Sequence, residues 1–423
     1  MLIQFRFKNF KSFKDDSILD MSAAKITEHA DRVIKVGNEK LLPAAAIFGA
    51  NACGKSNIIE AFKYMTDYVR NSLLYGNDIY NYKSDIKKPK YSPFLFDAVS
   101  QSAESSFEVY FIENEINKTI TYNYGFTLNK AGVVEEWLNS KAKSAHSFKS
   151  VFYRNGDKID LSGISKESRK LIDISLEKEV LIVSLAAKLK IAELNPITRW
   201  FFNINFPLGR FTKTQGNNFK LGELPKDFAL KKSVQEDIVK YFSTFDDSII
   251  GFYPEVVEGN SENYDDVVKI ETIHRDITGN EIRLSLEDES DGTLKMMALY
   301  PALQETLKNG GVMFVDELNA QLHPLLVRAF LIMFLNPEIN VNQAQLVFTT
   351  HDSWQLANNI LRRDEIWFVE KGRDGASSIY SLADFTDESG TKIRKDENYE
   401  KNYLLGKYGA IPIFSKNVFI KGQ

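Results

Sequence analysis

Along residues 2–10 apolar and polar side chains alternate, with Ile3, Phe5 and Phe7 on one face and Gln4, Arg6 and Lys8 on the other. A period of two marks a half-buried strand. Residues 17–23 read as a second strand. Residues 41–48 (Leu-Leu-Pro-Ala-Ala-Ala-Ile-Phe) are apolar throughout, as a strand buried on both faces would be. A helix is predicted after Ser56, running through Tyr64 and Tyr68 toward Leu74, followed by a polar connection over 75–91 rich in Tyr, Asn and Lys. Residues 107–111, 119–128 and 133–138 alternate again and suggest a hairpin or meander. The pattern turns helical over 162–194 and 224–242, and strands return at 267–273 and 281–286. From there helix and strand alternate: a helix from Leu294, strand 312–315, helix 325–334, strand 345–349, helix 353–361 and strand 365–369. Such alternation implies a parallel sheet covered on both faces. The expected fold is therefore α/β: a mixed or parallel sheet core, an antiparallel β lobe, and a largely helical middle insertion or arm.

At 423 residues, two lobes or a core with a large insertion is the natural expectation. The 53 basic and 57 acidic side chains leave a formal charge of -4. That balance argues against a surface that coats nucleic acid wholesale, while leaving room for a local basic patch. No run approaches the roughly 18 apolar residues of a membrane span. The segment MLIQFRFKNFKSFKDD lacks the apolar centre of a signal peptide, so a cytoplasmic protein with no membrane partner is expected. One cysteine, Cys53, rules out an internal disulfide framework and fits a reducing compartment.

The chemistry starts where the 41–48 strand ends. Gly49 to Ser56 spell Gly-Ala-Asn-Ala-Cys-Gly-Lys-Ser and lead into Asn57-Ile58-Ile59-Glu60-Ala61-Phe62. Glycines let backbone N–H groups wrap phosphate oxygens, and the helix N-terminus adds partial positive charge. Lys55 can reach the β- and γ-phosphates, and the Ser56 hydroxyl can ligate Mg²⁺. A chance match in a chain this long is on the order of one per cent, so the octet marks a nucleoside triphosphate site. Cys53 lies inside this loop. Its closeness to Lys55 and a helix N-terminus would lower its pKa and make it reactive; the reading we favour is a small residue at a variable position.

Val312-Met313-Phe314-Val315-Asp316-Glu317 is an apolar strand ending in two carboxylates. A buried parallel strand delivers its C-terminal residues to the sheet edge where ligands bind. Asp316 suits the Mg²⁺ shell, and Glu317 is placed to take a proton from attacking water. Glu289-Ser290-Asp291-Gly292-Thr293 opens a helix, where Ser and Gly make a second anion-binding turn or an ordinary N-cap. One triphosphate does not need two such turns in one chain, whereas two chains packed head to tail do. Strand 345–349 ends in Thr350-His351-Asp352, where a histidine can donate to a γ-phosphate and sense its loss. Between them, Leu318 to Pro324 form a loop suited to crossing toward a partner. The remaining histidines show no zinc spacing.

Phosphate loop, Ser-x-Gly turn, strand with two carboxylates, crossing loop and histidine occur in that order, which resembles the layout of ABC-type ATPase heads, including SMC, RecF and OLD-type proteins. Finer strings are similar to one branch: Lys8-Asn9-Phe10-Lys11-Ser12-Phe13, Gly49 to Asn57, Pro93-Phe94-Leu95-Phe96-Asp97, Glu135-Glu136-Trp137-Leu138, Glu289 to Thr293, and Tyr403 to Pro412. They resemble the bacterial AAA/ABC ATPases of abortive-infection and restriction-linked loci, the RloA, AbiL, AriA and PtuA group of anti-phage systems. The resemblance implies an ABC-type P-loop NTPase head that uses ATP and Mg²⁺. It makes Gly49, Asn51, Ala52, Cys53, Gly54, Lys55, Ser56 and Asn57 the nucleotide-binding loop, Ser56 and Asp316 the metal residues, Glu317 the base and His351 the switch. Ser290 and Gly292 would act on a dimer partner's nucleotide, and Lys11 matches a basic position near the nucleotide in related heads. Asp291 stands where transporter-like members have glycine. The corresponding division is an N-terminal ATPase lobe at 1–155, a helical arm at 156–265, and a C-terminal ATPase lobe at 266–423.

The function this suggests is ATP hydrolysis coupled to dimerisation of the heads, as a homodimer or higher homo-oligomer, gating a separately encoded effector (nuclease or toxin) in anti-phage defence. Two alternatives are a non-hydrolysing scaffold that sequesters a toxin or nuclease, and a RecF- or SMC-like DNA repair ATPase. No stretch sustains the three or four heptads of an SMC arm. Basic patches at 141–149, 188–190 and 231–232 leave contact with DNA open. A nuclease within the chain has little room, because only 72 residues (423 − 351) follow His351.

Overall fold

The structure is a computed structural model describing residues 1–75, 88–115, 118–207, 219–243, 247–258, 266–357, 360–386, 390 and 392–412. Most of the predicted 75–91 connection lies outside these residues. The centre is a six-stranded sheet in the order Ile204–Asn205, Val312–Val315, Gln345–Thr349, Ala44–Phe48, Ile366–Lys371, Ser377–Ser381. Its first five strands are parallel, and the last forms an antiparallel hairpin with its neighbour. Alternate residues of each strand serve two different cores. Ala45 and Ile47 of the central strand face one cluster, and Ala44, Ala46 and Phe48 face the other. Val312 and Phe314 against Met313 and Val315 repeat the division, as do Trp367 and Val369 against Ile366 and Phe368. Burial on both faces is why these strands read as unbroken apolar runs.

The second layer is a seven-stranded antiparallel sheet, ordered Lys158–Asp160, Lys149–Asn155, Gly132–Ala142, Lys118–Asn129, Ser105–Glu115, Leu2–Lys8, Ser17–Asp20. The helix after the phosphate loop, Lys55–Asn71, is wedged between the two sheets. Its Phe62 stacks on Phe314 with ring centroids 4.2 Å apart, and meets Phe5 edge-on at 4.7 Å. Gln345 ties the layers by polar contacts as well. Its carboxamide accepts from Leu2 N (2.6 Å) and donates to Leu2 O and Leu42 O (3.0 Å each).

The middle third carries helices Lys166–Ser175, Ile182–Leu189, Asn195–Phe202 and Lys232–Phe242. Much of it is built into the two cores. Trp200 stacks on Phe111 at 4.1 Å, and Ile204–Asn205 pairs in parallel with Val312–Val315 as the outermost strand. A four-stranded sheet, Phe219–Lys220, Gly251–Glu258, Val267–Arg275 and Glu281–Ser285, adds Phe219, Phe252, Val268 and Ile270 to the second core.

Several elements differ from the sequence pattern. The helix predicted over 353–361 is a single 3₁₀ turn, Ser353–Leu356, because Asp352 caps it and Ala357 is extended. The helix predicted from Leu294 starts at Asp291, capped by Ser290. Strand Gly251–Glu258 escaped the pattern because Pro254 interrupts it. The strand lies at a sheet edge, where a missing N–H is tolerated. Among the described residues no helix is long and apolar enough to cross a membrane.

Candidate nucleotide site

The turn from Phe48 into the Lys55 helix needs unusual backbone. Ala52 has φ 60°, and Gly54 has φ 112°. A Cβ on Gly54 would sit 2.6 Å from Ser377 Oγ and 2.7 Å from Ser12 Oγ, so only glycine fits. Those two hydroxyls brace the loop from behind: Ser377 Oγ donates to Cys53 O (2.6 Å) and lies 2.8 Å from Ser12 Oγ, whose hydrogen is free to point at it, and Asn57 Nδ2 donates to Ser12 Oγ (2.7 Å). Lys55 folds into the loop, its Nζ donating to Gly49 O (2.8 Å) and Ala50 O (2.9 Å). Burial pushes the Lys55 pKa down, opposed by the nearby Cys53, Glu317 and Asp316. Asn51 and Ala52 are exposed, Gly54, Ser56 and Asn57 half-buried, and Gly49 buried.

Cys53 is buried, and its burial pushes the thiol pKa up despite Lys55. This agrees with the favoured reading of Cys53 as a small residue and goes against the alternative of an activated thiol: desolvation outweighs the nearby positive charge.

One sheet position further from the loop, beyond the Gln345–Thr349 strand, Asp316 and Glu317 emerge exposed from Val312–Val315. Thr349, fully buried, sets both. Its hydroxyl donates to Asp316 Oδ1 (2.6 Å) and accepts from Glu317 N (2.7 Å). Glu317 has φ 48°, an unusual conformation for a residue with a Cβ. Its carbonyl accepts from Lys295 Nζ (2.6 Å), and its carboxylate Oε1 lies 3.4 Å from His351 Nε2. Asn319 Oδ1 fixes the histidine's backbone, accepting from Thr350 Oγ1 (3.0 Å) and His351 N (3.2 Å).

Ser290 caps the helix Asp291–Asn309, its Oγ accepting from Thr293 N (3.1 Å), and remains exposed. The first turn of that helix touches the loop after Glu317. A Cβ on Gly292 would lie 3.1 Å from Gln321 O. Lys11 is ion-paired with Glu60 on the phosphate-loop helix, its ammonium 5.9 Å from the Phe10 ring centre. Sequence reasoning missed the roles of Ser12, Lys295, Asn319, Thr349 and Ser377. Ser12, Asn319 and Thr349 lie in stretches the sequence analysis names, but single Thr, Ser, Asn and Lys residues carry no spacing signal.

A parallel sheet whose strand ends present this loop and this carboxylate pair is that of a P-loop NTPase of the AAA type, a nucleotide-binding ATPase fold. The chain belongs to the family described as "AAA domain, putative AbiEii toxin, Type IV TA system", which matches residues 44–353. Among solved structures it is similar to the Smc head domain with an extended coiled coil bound to the C-terminal domain of ScpA, from Pyrococcus furiosus. That likeness has 13% identity and a TM-score of 0.35, and covers 90% of this chain and 96% of that one. No curated protein matches the chain.

Proposed function

We propose that this chain hydrolyses ATP at the edge formed by Gly49–Asn57, Asp316, Glu317 and His351. The observation that carries the proposal is the pairing of Glu317 with His351 at 3.4 Å, on the two successive strand ends to one side of the Lys55 loop. Lys55 and the loop N–H groups would hold the β- and γ-phosphates. Ser56 and Asp316 are oxygen donors suited to Mg²⁺, which needs few protein ligands when phosphates and water complete its shell. When bound, the ion would draw charge from the phosphate oxygens. Glu317 would take the proton of the attacking water, and His351 would report the γ-phosphate.

Ser290 and Gly292, exposed or half-exposed at a helix start, would complete the nucleotide site of a second copy of the chain. ATP would then join two heads and hydrolysis part them, gating a separately encoded nuclease or toxin in anti-phage defence. Residues 156–265, between the two ATPase lobes, would be the part adapted to that effector.

The test compares steady-state turnover of wild type and Glu317→Gln, with binding of a fluorescent ATP analogue as control. Retained binding with turnover lost by about 10²-fold or more is expected for removal of a general base. Equal turnover would leave a nucleotide-stabilised scaffold. Light scattering of Glu317→Gln with and without ATP reads the dimer: an unchanged mass would refute ATP-dependent pairing.

A further inference from the structure

We propose that Lys295 is a positioning residue for Glu317, the strut through which the Ser290 end of its helix sets the catalytic carboxylate. The inference rests on the reading of Glu317 as the base. Lys295 sits in the second turn of Asp291–Asn309, 4% exposed, and its Nζ donates to the Glu317 carbonyl at 2.6 Å. Burying an ammonium is costly, and a methionine would fill the same space between helix and sheet more cheaply. The cation is therefore kept for what it touches. It touches the main chain of the residue held at φ 48°. A non-glycine residue in that region persists only when its surroundings hold it there. Lys295 holds it from the carbonyl side, and Thr349 from the amide side.

The same helix start is braced at two further points. Gly292 packs against Gln321 O, in the loop that continues from Glu317. Glu289, just before the cap, accepts from Thr272 Oγ1 at 2.5 Å and lies 2.7 Å from His274 Nε2 on the strand Val267–Arg275. A shift of the Ser290 turn therefore reaches Glu317 by two routes, and Lys295 is the one that bonds it directly. An anion binding at Ser290 would act on the glutamate of the same chain, not only on the nucleotide it contacts.

The experiment is a double-mutant cycle on the full chain with Lys295→Met and Glu317→Gln, reading kcat, KM and analogue affinity. Lys295→Met is expected to lower kcat about tenfold or more with analogue affinity unchanged. The double variant should turn over no more slowly than Glu317→Gln alone, because a strut has no effect once the base is gone. Lys295→Arg, which keeps a buried donor, should fall between wild type and Lys295→Met, and it substitutes in the cycle if Lys295→Met does not fold. Multiplied losses in the double variant, lost nucleotide affinity, or wild-type kcat in Lys295→Met with Glu317→Gln inactive would each overturn the strut and leave the base intact. Wild-type turnover in Glu317→Gln would remove the base itself, and the strut with it.

Discussion

Glu136 should make the stability of this protein depend on pH in a way that Glu136→Gln abolishes. The carboxyl is fully buried and comes from the strand Gly132–Ala142. It accepts from Ile182 N (2.7 Å), Val183 N (3.3 Å) and Tyr124 Oη (3.0 Å). It thus serves the orphan N–H groups of helix Ile182–Leu189, whose own N-cap, Leu181, has no acceptor side chain. Burial raises its pKa from 4.5 to about 7, against the opposing pull of these donors and of Arg154. Because the folded pKa is the higher one, the unfolded chain ionises first as pH rises. Stability is therefore lost between pH 4.5 and 7 and is level above that. The shift corresponds to about 3 kcal/mol in all, most of which falls between pH 5 and pH 8. Glu136→Gln removes this titration but also replaces an acceptor by a donor beside Ile182 N or Val183 N. That second effect is independent of pH and cancels when only the pH dependence is compared. The assay is urea unfolding followed by tryptophan fluorescence, to which Trp200 and Trp367 of the same core contribute, at pH 5 and pH 8 for both proteins. The variant should gain about 2–3 kcal/mol relative to wild type between those pH values. A difference that stays constant with pH would refute the buried titration.

Gly54→Ala forces a Cβ at φ 112° against two hydroxyls, so analogue affinity should fall by about tenfold or more; unchanged affinity would contradict the close packing of Ser12 and Ser377. Thr349→Val strands Glu317 N and releases Asp316, and should cost about 1–3 kcal/mol and most of the turnover, while Thr349→Ser keeps both; the melting curve and ATPase rate check it. Gln345→Leu removes contacts to three backbone groups joining the sheets and should destabilise by roughly 3 kcal/mol in urea, with a shift under 1 kcal/mol counting against that tie. Cys53 should react with a disulfide reagent at pH 8 about a hundredfold more slowly in the folded than in the unfolded chain, and equal rates would show the thiol to be open.

The sequence was most legible where one physical demand dominates. Strand Gln345–Thr349 was read to the residue because burial on both faces leaves an apolar run with sharp ends. The phosphate loop was legible because its glycine spacing is fixed by backbone conformation, as Gly54 shows. Some edge strands were not, although Ser17–Asp20 and Glu281–Ser285 were. Ser377–Ser381 reads as Ser-Ser-Ile-Tyr-Ser and earns its place through a hairpin and through Ser377 Oγ, which no periodicity announces. Glu136 lay in a string that matched a family, yet its task of serving a helix start 46 residues away depends wholly on tertiary contact. The two-residue strand Ile204–Asn205 is too short for any pattern, and its pairing with Val312–Val315 brings part of the apparent arm into the central sheet.

The groups proposed for catalysis gather because of where parallel strands end, not because of their distance along the chain. Ala44–Phe48, Val312–Val315 and Gln345–Thr349 run the same way, so Gly49, Asp316 and Thr350 leave the sheet at one edge. The burial at that edge is uneven. Lys55 and Thr349, which shape the site, are enclosed, whereas Asp316, Glu317, His351 and Ser290 are exposed. Charge development in phosphoryl transfer is best stabilised where water is excluded, because electrostatic interactions weaken steeply in high dielectric. Under the proposed hydrolysis, an open Glu317–His351 pair is half of an efficient site and calls for a cover when the γ-phosphate reacts. Under the proposed pairing, the exposed Ser290 turn of a second copy is that cover. Lys295 then makes the cover and the base parts of one device: the helix start that would close over the partner's phosphate is the one that holds the chain's own Glu317 in place.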